Sequence, residues 1–281
     1  MAVFFTTNPI EFKLTDSIII AEQEQPPSGN LESGATITGI VGEFPWGPED
    51  ELLEFTTGKA LIDSLVAGSS APEGYAGFRS VANKKFGGPL RVVRVKASDA
   101  VKATDTLADS GATDAVVLTA KYFGVRGNEI AYVWTKVSSS KFDIQISFGS
   151  IVETFEDVDF DAAGMTYISD NSVLIDAVLD GAGGNNPETA ASANLASGDD
   201  GTLVAADYVG SAVSAKGLRV LRQMEDGGIV FVAEYTHADV ITGLEAHVVE
   251  KKCMAAVQAS DSDTHSTNIT AAGNISEERL R

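Results

Sequence analysis

Two runs that are apolar at nearly every position, 228–233 and 253–258, flank an amphipathic stretch of helical period over 238–252. An unbroken apolar run marks a strand buried on both faces, and two such strands joined by a helix make a βαβ unit with parallel strands. Parallel strands need helices on either side, so this part of the chain is committed to an α/β core. The same grammar appears earlier. Residues 35–42 alternate and end at Gly42, residues 43–50 hold two prolines and a glycine, and residues 57–65 place Leu61, Ile62 and Leu65 on one helix face. A second helix over 75–86 carries Phe78, Val81, Ala82 and Phe86, closes at Gly87-Gly88-Pro89, and precedes a strand at 90–95.

The middle of the chain has a different period. Residues 116–120, 129–135, 142–148 and 151–155 are alternating runs separated by Gly, Ser and Asn turns, which predicts an antiparallel β module inserted into the core. The stretch 181–201 is rich in Gly, Asn, Ser and Ala and reads as a surface loop. Helical pieces at 205–210 and 215–224 then return the chain to the core pattern. The fold class is therefore α/β (α+β): an α/β core interrupted by an antiparallel β-rich insertion. The expected units are an arm and linker at 1–30, a first core part at 31–112, the insertion at 113–200 and a second core part at 201–281.

The arm rests on period-two alternation. Ile10, Phe12 and Leu14 alternate with Glu11, Lys13 and Thr15, and the segment runs on into Ile18, Ile19 and Ile20. Residues 22–30 that follow are polar with a Pro-Pro pair, a linker and not a turn. A strand on such a tether either folds back on its own sheet or pairs with the open edge of a neighbour. The second choice makes a polymer.

Forty acidic residues against twenty basic ones give a net charge of -20 over 281 residues. That field opposes wrapping a nucleic acid or lying on an anionic membrane surface, so neither is an expected partner. Assembly between like-charged copies has to rely on short-range pairing and local patches of opposite sign. One cysteine, Cys253, allows no intrachain disulfide and no cysteine zinc cluster, and its place in an apolar strand reads as a small buried thiol. The start lacks the basic and long apolar regions of a secretory signal, and no apolar run approaches the ~18 residues of a membrane span, so a soluble chain is expected.

The order of segments resembles the tail sheath proteins of contractile-tailed bacteriophages. The matching pieces are the N-terminal arm; Thr38-Gly39-Ile40-Val41-Gly42-Glu43 through Gly47-Pro48; Phe86-Gly87-Gly88-Pro89 with residues 90–95; Thr119-Ala120-Lys121 with Gly124-Val125-Arg126-Gly127-Asn128; and Gly198-Asp199-Asp200-Gly201 with Asp207-Tyr208-Val209-Gly210. The resemblance implies a structural, non-enzymatic subunit without a cofactor. It also implies stacked hexameric rings of like subunits around a tail tube, with the baseplate and a tail terminator as further partners. The product would be a virion component assembled in the bacterial cytoplasm. The inter-subunit arm would be carried by Ile10, Phe12, Leu14 and Ile18. In the family more core and a C-terminal arm follow, so this chain is expected to be an N-terminal part that alone forms a monomer or weak small oligomers.

The sequence also offers a different class. His237 in the loop 234–237, with Asp261, Asp263 and His265 in the loop 260–265, follow the carboxyl ends of the two parallel strands, where α/β folds place sites, and together suit a metal-dependent hydrolase. The plainer reading is a solvated acidic loop. His247 with Glu250 lacks the second histidine of a zinc-protease helix and reads as a partly exposed side chain. Asp157, Asp159 and Asp161 open like a calcium loop, but Ala162 stands where the glycine is needed and Ile168 where the closing acid belongs. Lys84, Lys85, Arg91, Arg94 and Lys96 form the most basic region, and Glu49 to Glu54 and Glu153 to Asp161 the most acidic. These are either charges that meet between subunits or ordinary surface charge.

Overall fold

The computed structural model describes residues 37–65, 74–82, 88–181, 184–188, 192–211, 213–233 and 238–257. The core sheet holds β1 (Thr38–Gly42), β2 (Leu53–Phe55), β3 (Leu90–Arg94), β11 (Ile229–Val232) and β12 (Met254–Ala256) in the order β12-β11-β1-β3-β2. The first four run parallel, and β2 pairs antiparallel with β3 at the edge. Sequence alternation here sorts side chains to two faces. Ile40, Leu90 and Val92 meet Leu61 and Leu65 of α1 (Gly58–Leu65) and Val81 of α2 (Ala76–Ala82). Val41, Val93, Val230 and Val232 meet Tyr208 of α4 (Ala205–Val209), Leu218 and Leu221 of α5 (Gly217–Leu221), and Val240, Leu244 and Val248 of α6 (Ala238–Lys251). Both faces are covered, as parallel strands require. Gly77 lets α2 approach: a Cβ there would collide with the Glu43 carbonyl and the Phe44 ring.

The middle region folds into two antiparallel sheets, not one. β4 (Thr104–Ala108), β5 (Asp114–Ala120) and β9 (Ile175–Leu179) form a three-stranded sheet in the order β4-β5-β9. β6 (Ala131–Lys136), β7 (Lys141–Phe148), β8 (Ile151–Asp159) and the two-residue β10 (Ala193–Asn194) form the other, ordered β10-β6-β7-β8. One hydrophobic cluster joins them, with Trp134 stacked on Phe142 at 3.8 Å between ring centroids and Phe160 edge-on to both. The run 116–120 thus belongs to a different sheet from the three that follow it. The start of the run 129–135 also differs, because Val125–Glu129 is a 3-10 turn and the strand begins at Ala131.

α3 (Ala162–Asn171) was hidden in what reads as an acidic segment. Asp161 caps it by accepting the Gly164 N–H at 2.8 Å, so the carboxylate is a helix start and not a calcium ligand. The helix also covers the free edge of β9, where Ser169 Oγ accepts the Ala177 N–H at 2.9 Å and donates toward its carbonyl at 3.1 Å. A side chain that takes up both groups of an edge residue removes a template for stray pairing. The stretch 181–201 is not a mere surface loop. Val101 pairs with Asp199, Thr104 pairs with Ala196, Leu195 is buried, and the buried Asn186 amide donates to the Ser138 and Lys141 carbonyls at 2.8 and 2.9 Å. Its small residues permit this: a Cβ on Gly198 would lie 2.5 Å from the Gly124 carbonyl oxygen.

Candidate functional site

β3 ends on a charged residue inside the protein. Burying a guanidinium is costly unless its donors are filled, and Arg94 fills them. Nε donates to the Phe44 carbonyl at 2.8 Å, Nη1 to the Gly47 carbonyl at 2.8 Å and to Glu49 Oε1 at 2.5 Å, and Nη2 to the Phe123 carbonyl at 2.9 Å. Glu49 Oε1 also accepts the Phe123 N–H at 2.7 Å. One ion pair therefore ties the loop after β1 to the segment after β5. Beside it, Trp46 lies 5.1 Å from Tyr122 edge-on and 4.8 Å from Phe148, so the same loop inserts an aromatic into the middle core.

A second tie runs through Asp200. Its Oδ2 accepts the Tyr75 hydroxyl at 3.0 Å and its Oδ1 accepts the Val125 N–H at 2.9 Å. Gly124 takes φ 119, and a Cβ there would strike the Asp200 carboxylate, so both conformation and space call for glycine. Burial pushes the Glu43 carboxyl above its ordinary range and the nearby Asp200 adds to this, while Arg94 and Arg79 pull the other way. Burial and the Asp200 carboxylate likewise push the Tyr75 phenol up, which keeps it a donor. A shallow cleft opens here, lined by Glu43, Tyr75, Arg94, Lys96, Phe123 and Asp200 among others.

Lys96 leaves this cleft with its Nζ 4.2 Å from the centre of the Phe123 ring, and Lys102 approaches the same ring at 5.3 Å. Arg91 turns to Glu225, with Nε at 3.1 Å and Nη2 at 2.7 Å from its carboxylate, and lies 3.6 Å from Glu54. Arg91 and Arg94 are thus engaged inside the chain. Two charges in an otherwise apolar strand, Leu90-Arg91-Val92-Val93-Arg94, were the available signal, because a charge in a buried strand must find a partner. Ile10, Phe12, Leu14, Ile18, Lys84 and Lys85 lie outside the described residues, as do His237, Asp261, Asp263 and His265.

His247 is not partly exposed: it is 0% exposed on the core-facing side of α6, and neither ring nitrogen makes a well-aligned hydrogen bond among the described residues, although the Leu218 backbone lies close enough to favour the protonated ring. Burial, and then Arg222, hold its pKa down to about 4. Cys253 is buried, as the apolar run foretold. Among the described residues no three His, Cys, Asp or Glu side chains gather as a metal site, and no helix is long and apolar enough to cross a membrane.

No family model matches the sequence, and no match is found among the curated proteins. Solved structures do match. A sheath tail protein from Listeria innocua superposes with a TM-score of 0.55 at 18% identity, covering 76% of this chain and 44% of that one. A sheath tail protein from Desulfitobacterium hafniense gives 0.55 at 19%, covering 85% and 52%. This chain has the fold of those sheath tail proteins and spans about half of their length.

Proposed function

We propose that this chain is a portion of a contractile-tail sheath subunit, a structural protein that polymerises helically around a tail tube and contracts to drive the tube through a target envelope. The observation that carries the reading is the shared fold with two sheath tail proteins over most of this chain. The order of motifs read from the sequence agrees with it. In this reading the partners are other sheath subunits, the tube, the baseplate and the terminator, and the place of action is the virion. The residues of the hydrolase alternative lie outside the described residues.

Immunogold electron microscopy with antibody to this chain, on particles released from producing cells, tests the reading. Gold spaced along a tail cylinder is the expected result. Label confined to capsids, fibres or free debris would overturn it.

The arm is part of the proposal. Burying Ile10, Phe12 and Leu14 contributes ~1.5–3 kcal/mol each before ordering costs, so one junction is weak and many are persistent. Deleting residues 2–20 in the producing cell should remove sheathed tails and leave bare tubes. Normal sheaths on the deletion strain would show that the arm joins nothing. Lys84 and Lys85 complete the proposal as charges facing a neighbouring subunit, and reversing both in the producing cell should change sheath length or stability, an idea that unchanged sheaths would discard.

A further inference from the structure

Most described lysines and arginines of this acidic chain meet a carboxylate, Arg219 and Lys252 being exceptions. Lys59, Lys121, Lys136, Lys141, Lys216 and Lys251 all do. Lys96 and Lys102 have none within ion-pair distance among the described residues, and both point at one aromatic ring. The ring is fixed, because the Phe123 backbone is held on both sides by Arg94 and Glu49. Apolar side chains adjoin it. Gly124 N–H donates to the Val101 carbonyl at 3.1 Å, which holds the backbone of Val101 next to the segment 123–125, and Val101 and Val125 are 47% and 45% exposed. Two ammonium groups without a close ion pair, Lys96 facing only the more distant Asp50, beside a half-buried ring and two exposed valines form the make-up of a docking surface.

The ligand class follows from charge: a partner strip that is acidic and partly apolar. The chain itself offers one. β8 is the outer strand of its sheet, with Val152, Thr154 and Glu156 exposed, Val152 at 59%. Asp157 and Asp159 share Lys141, whereas Glu156 has no ion-pair partner among the described residues. We infer that the surface of Lys96, Lys102, Phe123, Val101 and Val125 receives the outer strand β8 of a second copy of this chain, valine against valine and Glu156 against the lysines. The inference rests on the sheath reading in that it needs copies to meet. It is a head-to-tail contact, since one copy gives its lysines and the other its strand, so it propagates from copy to copy into a ring or a helical array.

Cysteine cross-linking tests it, because the native Cys253 is buried. Val101→Cys and Val152→Cys chains, mixed under mild oxidation at low salt, should form a disulfide-linked heterodimer at least tenfold faster than Val101→Cys mixed with Val213→Cys, whose site is 98% exposed. Adding Lys96→Glu and Lys102→Glu to the first chain should remove that advantage, and combining them with Glu156→Lys in the second should restore it. Equal rates with the control, a faster Val101→Cys self-pair, or no response to charge reversal would overturn the inference. Circular dichroism of each variant establishes that it is folded. The immunogold result stands apart from all of these outcomes, so the contact and the sheath reading fail separately.

Discussion

Replacing Arg94 by Met should lower unfolding stability by about 3–5 kcal/mol, read as a shift of the urea transition followed by tryptophan fluorescence. The size comes from what is left behind. Glu49 stays buried with its carboxylate uncompensated, and the carbonyls of Phe44, Gly47 and Phe123 each lose a donor. Arg94→Lys should recover little, because one ammonium cannot reproduce a planar fork aimed at four acceptors. The double variant Arg94→Met, Glu49→Leu should regain much of the loss, since two apolar side chains replace a buried ion pair more cheaply than one half of it. A single variant within about 1 kcal/mol of the native protein would dismiss Arg94 as the tie between the core sheet and the middle region.

Acid should loosen the packing of α6 well before most carboxylates titrate. His247 has its folded pKa held down to about 4, below the 6.5 of a free imidazole, with burial as the first cause. The unfolded chain therefore takes up the proton first. Stability is complete above about 6.5 and declines as pH falls toward 4, by about 3 kcal/mol at most. Arg222 and Lys251 oppose protonation, Glu250 favours it but is engaged with Arg222 at 2.9 Å, and the Leu218 backbone gives slight support. Glu43 and Asp50 work in the other direction, since burial raises both and their protonation relieves the fold. The test is therefore a comparison: His247→Leu should flatten the stability profile between pH 6.5 and 4 and leave neutral stability equal or higher. Parallel profiles for the two proteins would show that the imidazole does not govern this range.

How far the sequence reveals the fold depends on whether a local pattern has one structural solution. The runs at 228–233 and 253–258 predict parallel strands buried on both faces; β11 and β12 are parallel, but β12 is the outer strand of the sheet and its residues are only half-buried. Leu61, Leu65 and Val81 fall where helical period puts them. β4 was invisible because Thr-Asp-Thr-Leu-Ala offers one apolar anchor, and β2 because a three-residue edge strand shows no period. The stretch 181–201 misleads for another reason. Small residues usually mean loose loops, but here the lack of side chains lets backbone lie against backbone, a property of the partner surface that no local window contains. Arg94 and His247 mislead: the sequence reads the first as a subunit-facing or surface charge and the second as partly exposed, because what surrounds their polar atoms comes from residues far along the chain.

The sheet order β12-β11-β1-β3-β2 sets a schedule for biosynthesis. β1 sits between β3, made soon after it, and β11, which the ribosome supplies only after the whole middle region. At translation speeds of ~5–20 residues per second, the apolar flank of β1 waits on the order of 10–40 s for its second neighbour. The nascent chain thus carries a sticky ledge while the two intervening sheets can already mature, so chaperone occupancy during synthesis belongs to the first forty residues of the core and not to the larger aromatic centre that follows.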